Sequence, residues 1–255
     1  MPGAIPRRSI LSLCVGLAAW QAVTMAGLMA PYELPAPSQV LRDFLDVAVN
    51  GYGDASLWGS LLVSLLRLAA GMLLAIGIGV ATGYLTATNA LVKALFDPIF
   101  EFVRCIPPLG ILGLLVGWLG IGERSKVLLL MLAALIPIVL TTSQAIGAVR
   151  AERVQGARSL GLDGICLTRF VILPSALPEI LTGIRIGFGY AFGALVAAEM
   201  IGASSGLGWM VWNASQYGQT SIVFIDIIAI GCIGFLVDGA LENARRRLVP
   251  WAGRG

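Results

Sequence analysis

Long apolar stretches dominate this sequence and limit what it can fold into. A bilayer core needs about 20 mainly apolar residues per helix. Six stretches qualify, at about residues 9–30, 57–87, 94–121, 127–149, 176–203 and 222–241. Only 12% of the residues are charged, roughly half the share that covers an ordinary soluble domain. The sequence therefore predicts an all-α integral membrane protein with six transmembrane helices.

The N-terminal part predicts two elements. The apolar core of the first stretch is longer than the ~7–15 residues of a signal peptide, so we interpret it as a retained anchor. Residues 38–48 predict an amphipathic helix on the outer membrane surface, with Ser38 as its N-cap and Leu41 and Leu45 on its apolar face. A simple spacer is the alternative.

The distribution of positive charge places both termini in the cytoplasm. With the N-terminus inside, eleven of the 17 Lys and Arg residues fall in cytoplasmic segments and three fall within spans. The remaining three, which fall outside, are Arg42, Arg124 and Lys126. Cytoplasmic loops of membrane proteins carry this excess of Lys and Arg.

Several kinds of chemistry are excluded by residues that the sequence lacks. It has no histidine, which removes His–carboxylate triads and His-ligated zinc sites. Its four cysteines are scattered, and neither lysine follows a Gly-rich phosphate-binding loop. We therefore predict no catalytic, cofactor-binding or metal site and no nucleic-acid partner, and an intramembrane enzyme has almost no support.

The polar connection between the fourth and fifth spans is the most informative segment. It begins at Arg150 as a short amphipathic helix that Gly161 can end, and it continues to Val171-Ile-Leu-Pro174. A plain connection does not need an ordered cationic helix. The pattern therefore predicts a docking surface for a partner protein.

This connection resembles that of the permease subunits of ATP-binding-cassette importers, which carry an E-A-A-x3-G-x9-I-x-L-P motif. Gln155-Gly-Ala157, Gly161 and Val171-Ile-Leu-Pro174 stand here at the matching spacing. Gln155 for Glu and Gly156 for Ala depart from the motif. Further runs resemble the branch that imports taurine and other aliphatic sulfonates, at residues 34–40, 97–108, 120–123, 171–185, 196–201 and 205–208.

The resemblance implies a type I importer permease with a cytoplasmic coupling helix between spans four and five. It implies a homodimer in the lipid of a bacterial plasma (inner) membrane, two ATPase subunits at the cytoplasmic face and an extracytoplasmic substrate-binding protein. ATP and Mg would be bound by the ATPase subunits and no cofactor by this chain. The chain then divides into an anchor and outer amphipathic segment at 1–56, a permease core at 57–249 and a cytoplasmic tail at 250–255.

The resemblance also implies which residues couple the permease to its ATPases. These are Glu152, Gln155, Gly156, Ala157, Ser159, Leu160, Gly161, Leu173 and Pro174. In this assignment Gly161 bends the chain after the helix, and Pro174 fixes the turn that leads back into the bilayer.

Charges and helix breaks within the spans suggest a substrate pathway. Charged side chains are expensive in lipid and face the protein interior, water or each other. The pathway candidates within the spans are Arg67, Glu101, Arg104, Pro107, Pro108 and Glu199. Ser205 and Gly206 are candidates in the outer connection 203–221, which is either a re-entrant gate that contacts the binding protein or an interfacial belt of aromatic residues. Structural ion pairs, including an i,i+3 pair of Glu101 and Arg104, and snorkelling side chains are the alternative. Pro107 and Pro108 predict a kink, either beside the pathway or with a packing role only.

The resemblance therefore implies the transmembrane subunit of an ATP-driven importer for taurine or another aliphatic sulfonate. The same machinery could carry nitrate, bicarbonate or another small organic anion. A secondary transporter or channel that works without an ATPase is the alternative from another class.

Overall fold

The computed structural model describes residues 7–30, 32–53 and 55–251, with side chains given for Ser12 and from Cys14 onward. Within these residues the secondary structure is helical, and no strand is present beyond an isolated bridge between Tyr52 and Ala55. This confirms the all-α prediction. Of the predicted tail at 250–255, the last four residues, including Arg254, lie outside the described part.

Eleven α-helices follow one another in the described chain. They are α1 (Arg7–Met25), α2 (Pro37–Asn50), α3 (Leu57–Thr88), α4 (Ala90–Val103), α5 (Pro108–Leu119), α6 (Glu123–Gly147), α7 (Ala151–Ser159), α8 (Gly164–Leu167), α9 (Leu173–Gly202), α10 (Leu207–Gln216) and α11 (Thr220–Leu248). They form a smaller unit, Met1–Val63 with Ser204–Cys232, and a larger unit, Ser64–Ala203 with Ile233–Gly255.

The core of the larger unit is built around α6. Leu129, Leu130, Ala134 and Ile138 of this helix have no exposed surface. They share one apolar cluster with residues of α3, α5 and α9. An apolar helix that is buried on most of its sides is typical of the centre of a helical bundle.

Small residues let α3 approach α6 closely. Gly71, Gly79 and Gly83 are buried. They are eight and four residues apart, so they lie on one face of α3. A Cβ atom placed on Gly83 would lie 2.8 Å from the carbonyl oxygen of Val139 and 2.6 Å from the Cβ of Thr142. Close packing of this kind is how helices associate in lipid, where burial of apolar surface gives no driving force.

We expect Gly83→Ala to destabilise the larger unit by about 1–3 kcal/mol, because the new methyl group has no room against the α6 backbone. Gly77→Ala is the matched control on the same helix, since nothing lies within 4 Å of a Cβ there. The midpoints of thermal unfolding of the two variants are compared in detergent, with size-exclusion chromatography as the measure of the folded fraction. Equal midpoints for the two variants would contradict the close approach of α3 to α6.

The third predicted span consists of two helices and not of one kinked helix. α4 ends at Val103, α5 begins at Pro108, and their axes differ in direction by 100°. Pro107 has φ −59° and ψ 130°, which is an extended conformation. A residue before proline is pushed out of the helical region, and proline itself removes a helix hydrogen bond. Two consecutive prolines therefore break the helix where a kink was predicted.

Several of the predicted membrane spans are confirmed. Four helical stretches in the described chain are long and apolar enough to cross a membrane, and the bent pair α4–α5 makes a fifth if it counts as one span. The four are Leu57–Thr88, Glu123–Gly147, Gly164–Gly202 and Thr220–Leu248. The apolar part of α1, Cys14–Met25, is shorter. A total of six spans therefore stays a prediction.

Aromatic side chains tie the smaller unit together. The indole N–H of Trp20 donates to the carbonyl oxygen of Pro35 at 3.1 Å, and its ring packs against Phe224 with the centroids 5.3 Å apart. The hydroxyl of Tyr52 donates to Oδ1 of Asn213 at 3.0 Å. These contacts join α1, α10 and α11 to the segments on either side of α2.

The helix predicted at 38–48 is present as α2, but the predicted N-cap is wrong. The helix begins at Pro37, whose fixed φ suits the first helical position, so Ser38 is not its N-cap. Val40 is buried, whereas Leu41 and Leu45 are 61% and 58% exposed. The side of α2 with Val40 packs on the protein and the predicted apolar face is left exposed, so its contact with the outer membrane surface stays a prediction.

Candidate functional site

A nine-residue helix, α7, lies in the polar connection after α6, where a helix was predicted. Its C-terminus is closed by Gly161, which has φ +83°. The N–H of Gly161 donates to the carbonyl of Arg158 at 2.9 Å, and the N–H of Leu162 donates to that of Ala157 at 3.1 Å. These two bonds form a Schellman motif. Because side chains are disfavoured at this φ, the direction of the chain after α7 depends on glycine at 161.

Most of the predicted coupling residues on and next to α7 are accessible. Ala157 is 7% exposed and anchors the helix. The exposed ones, which we call the α7 surface, are Glu152, Gln155, Gly156, Ser159, Leu160 and Gly161. Leu160 is 84% exposed, as is Ile165 further along the connection, and Phe170 is 64% exposed. Exposed apolar side chains in a polar segment are typical of a surface that binds another protein.

The chain after α7 runs back into the bundle as one helical stretch. α8 is followed by a π-helical turn, Thr168–Ile172, that leads directly into α9. Pro174 stands in the first turn of α9, so the prediction that it fixes a turn there is wrong. The wider π-helical turn accommodates the missing N–H of the proline without a break. Leu173 beside it is 37% exposed.

A cavity of about 380 Å³ lies beside the break between α4 and α5. Its wall is mainly apolar, and the polar residues among those that line it are Arg104, Thr141, Gln144 and Tyr190. Among the described residues that line it, only Arg104 carries a charge. Two of the predicted pathway residues, Arg104 and Pro108, therefore meet at this cavity.

Glu101 and Pro107 do not line the cavity. Glu101 is exposed on α4, as is Arg104 just beyond its end, and the described chain contains no ion pair between them. The i,i+3 pair that their spacing allowed is therefore not formed.

Two other pathway candidates, Arg67 and Glu199, form a buried ion pair. Nη1 of Arg67 lies 2.7 Å from Oε1 of Glu199, and the two side chains are 4% and 1% exposed. Nε and Nη2 of Arg67 each donate to Glu123 at 2.6 Å. The hydroxyl of Ser64 donates to Glu199 at 2.8 Å. This geometry fits the structural role that was the alternative for charged residues in the spans.

A second ion-pair network joins α9 to α11. Nε and Nη2 of Arg185 donate to the carboxylate of Asp238 at 2.5 and 2.6 Å, and Nη1 donates to Glu242 at 3.0 Å. Glu242 also accepts from Arg245 and Arg246 of the last turn of α11. The network holds α11 to α9, the helix that follows the polar connection.

The remaining candidates, Ser205 and Gly206, belong to the smaller unit. They lie directly before α10, and Gly206 has φ +119°. The sequence reasoning missed the uncharged residues of the cavity, Thr141, Gln144 and Tyr190. A glutamine inside an apolar span was the one signal that could have pointed to them.

Apolar spans, a cavity with one charged residue in its described lining and an ordered polar connection are the features expected of a multi-pass helical membrane permease. The chain belongs to the family described as the binding-protein-dependent transport system inner membrane component, whose family model matches residues 63–250. Members of this family are multi-pass permease subunits of transporters in the inner membrane. Nucleotide binding lies in separate ATPase subunits.

Relatives with similar sequences include two permeases named for sulfonates. The taurine transport system permease protein TauC of Escherichia coli is 42% identical over 96% of this chain and 90% of its own length. The putative aliphatic sulfonates transport permease protein SsuC of Bacillus subtilis is 35% identical over 96% and 87%. The bicarbonate transport system permease protein CmpB of Synechocystis is 29% identical over 91% and 84%.

Solved importer structures have the same fold. The MetNI methionine ABC transporter, in an inward-facing conformation, contains a chain that aligns with a TM-score of 0.68. The alignment covers 81% of the present chain and 98% of that chain, at 18% identity. A chain of an amino acid ABC transporter aligns with a TM-score of 0.61 at 17% identity, over 83% and 97%.

Proposed function

We propose that this chain is the transmembrane subunit of an ATP-driven importer of taurine or another aliphatic sulfonate. The observation that carries the proposal is the 42% identity to a taurine permease over 96% of the chain. Two copies of the chain form the pathway, and an extracytoplasmic binding protein delivers the substrate. Both termini lie in the cytoplasm.

Coupling to two ATPase subunits takes place at the α7 surface. The ATPases bind ATP and Mg, and their closure moves α7. Because α7 packs against α8 and the π-helical turn, which continue into α9, a displacement of α7 reaches a membrane-spanning helix without an intervening flexible loop. Coupling requires such a contact surface, whose position differs between the two states of the transporter.

A bicarbonate or nitrate importer is the second candidate, because a bicarbonate permease is 29% identical over 91% of the chain. Both candidates need a pathway for a small solute that carries an oxyanion group. They differ in the substrate that the binding protein delivers.

Uptake into proteoliposomes that contain the chain with its ATPase and binding protein tests the proposal. ATP is enclosed in the vesicles, where the cytoplasmic face of the protein lies. We expect labelled taurine to accumulate inside the vesicles and unlabelled alkanesulfonates to compete with its uptake. Nitrate and bicarbonate at the same concentrations should leave uptake unchanged. Accumulation of bicarbonate or nitrate, with no uptake of any sulfonate, would contradict the proposed substrate class.

A further inference from the structure

We infer that the cavity beside the break between α4 and α5 binds the sulfonate group of a small organic substrate, with Arg104 as its counter-ion. The inference rests on the proposed function and adds to it a substrate site inside the membrane. The cavity volume of about 380 Å³ lies within the range of about 300–1,000 Å³ that small-molecule sites occupy.

The charge of Arg104 is not neutralised by any carboxylate in the described part of the chain. Arg104 caps the C-terminus of α4, an end where a cation is favoured. In the described chain no carboxylate lies within ion-pair distance of its guanidinium, whereas Arg67 and Arg185 each have two carboxylate partners. A guanidinium stays protonated even in apolar surroundings. An anion in the cavity would supply the missing opposite charge.

The remaining lining fits the other parts of a short sulfonate. Gln144 and Tyr190 line the same cavity and offer amide and hydroxyl donors. A guanidinium fork can donate two hydrogen bonds to two oxygens of one sulfonate. The third oxygen of the sulfonate can then accept from Gln144 or Tyr190. Leu132, Ile136 and Leu140 provide an apolar wall for an alkyl chain. The break at Pro107 gives the cavity this shape, because it turns α5 away from the direction of α4.

The site is tested by placing a cysteine in the cavity and comparing how fast it reacts with an anionic and with a cationic reagent. Ile186→Cys, at an accessible residue of the cavity wall that offers no hydrogen bond to a ligand, is introduced into the full chain after Cys14, Cys105, Cys166 and Cys232, which are all exposed, have been replaced by serine. Its modification rates in membranes are measured with two methanethiosulfonates, one carrying an ethylsulfonate and the other an ethyltrimethylammonium group. Ethanesulfonate is added as a competitor.

We expect Arg104→Gln to lower the ratio of the rate with the anionic reagent to the rate with the cationic reagent by about tenfold or more. The positive charge of Arg104 attracts the anionic reagent and repels the cationic one. Lys93→Gln is the matched control: it removes a charge from α4 at an exposed pair with Asp97 and should leave the ratio within about twofold. Ethanesulfonate should slow modification when Arg104 is present and lose this effect in Arg104→Gln. A ratio that does not respond to Arg104, or an equal response in the Lys93 variant, would overturn the site.

The outcome separates this site from the proposed function. If the native chain shows ATP-driven sulfonate uptake but the ratio of the two rates does not change in Arg104→Gln, the proposed cavity site is wrong and the proposed importer function is supported. If uptake fails while the ratio depends on Arg104 and ethanesulfonate protects, the sulfonate importer is wrong and the anion site stands.

Discussion

Replacing Gly161 by valine should abolish the stimulation of ATP hydrolysis by the substrate-loaded binding protein, with at least a tenfold loss, while the chain still inserts into the membrane. Gly161 has φ +83°, and a β-branched residue there is a genuine outlier. The strain of about 1–3 kcal/mol acts on the Schellman motif that ends α7. A helix of nine residues is too short to persist without its cap and packing.

Two control variants separate backbone strain from the loss of a small residue. Gly161→Asn should keep most of the coupling, because asparagine tolerates the left-handed conformation. Gly156→Ala should also keep it, since nothing lies within 4 Å of a Cβ at this position, and should stabilise α7 by up to about 1 kcal/mol. Membrane fractions checked for equal amounts of chain make the ATPase rates comparable. Normal stimulation in Gly161→Val would contradict the role of α7.

Replacing Arg67 by methionine is expected to destabilise the larger unit by about 3–5 kcal/mol. The change leaves Glu199, which is 1% exposed, as a buried carboxylate without its cation. Glu123 is 60% exposed and can be hydrated instead. In detergent, the midpoint of thermal unfolding should fall by about 10 °C for a chain of this size.

The paired variant Arg67→Met/Glu199→Gln should recover a large part of this loss, because it removes the buried charge together with its partner. Lys93→Met provides the exposed comparison. The Lys93–Asp97 pair has 3.7 Å between its charged atoms, and both of its side chains are at least one third exposed, so its loss should cost under about 1 kcal/mol. Equal midpoints for Arg67→Met and Lys93→Met would show that the buried pair has no structural role.

Hydropathy and charge predicted the long apolar helices well because both are local properties of the sequence. The stretches at 57–87 and 127–149 correspond to Leu57–Thr88 and Glu123–Gly147. Gly161 was also predicted as the end of a helix from local chemistry, since few residues other than glycine adopt a positive φ. Such features need no knowledge of what packs against them.

Features that depend on distant residues could not be predicted in the same way. Arg67 and Glu199 are 132 positions apart, and nothing in the sequence pairs one buried charge with another. The effect of proline also depended on context. Pro107 and Pro108 break a helix, whereas Pro174 is accommodated beside a π-helical turn. The polar lining of the cavity joins α6 to α9 and therefore follows from packing.

The central proposal is that this chain transports only when separate ATPase subunits drive it. The most direct test is accumulation of labelled substrate in proteoliposomes with the ATPase subunits present or omitted. We predict accumulation with ATP, binding protein and ATPase together, and none above empty vesicles when the ATPase is left out or when ATP is replaced by a non-hydrolysable analogue. Accumulation that persists without the ATPase, driven by an ion gradient alone, would contradict the proposal and favour a secondary transporter.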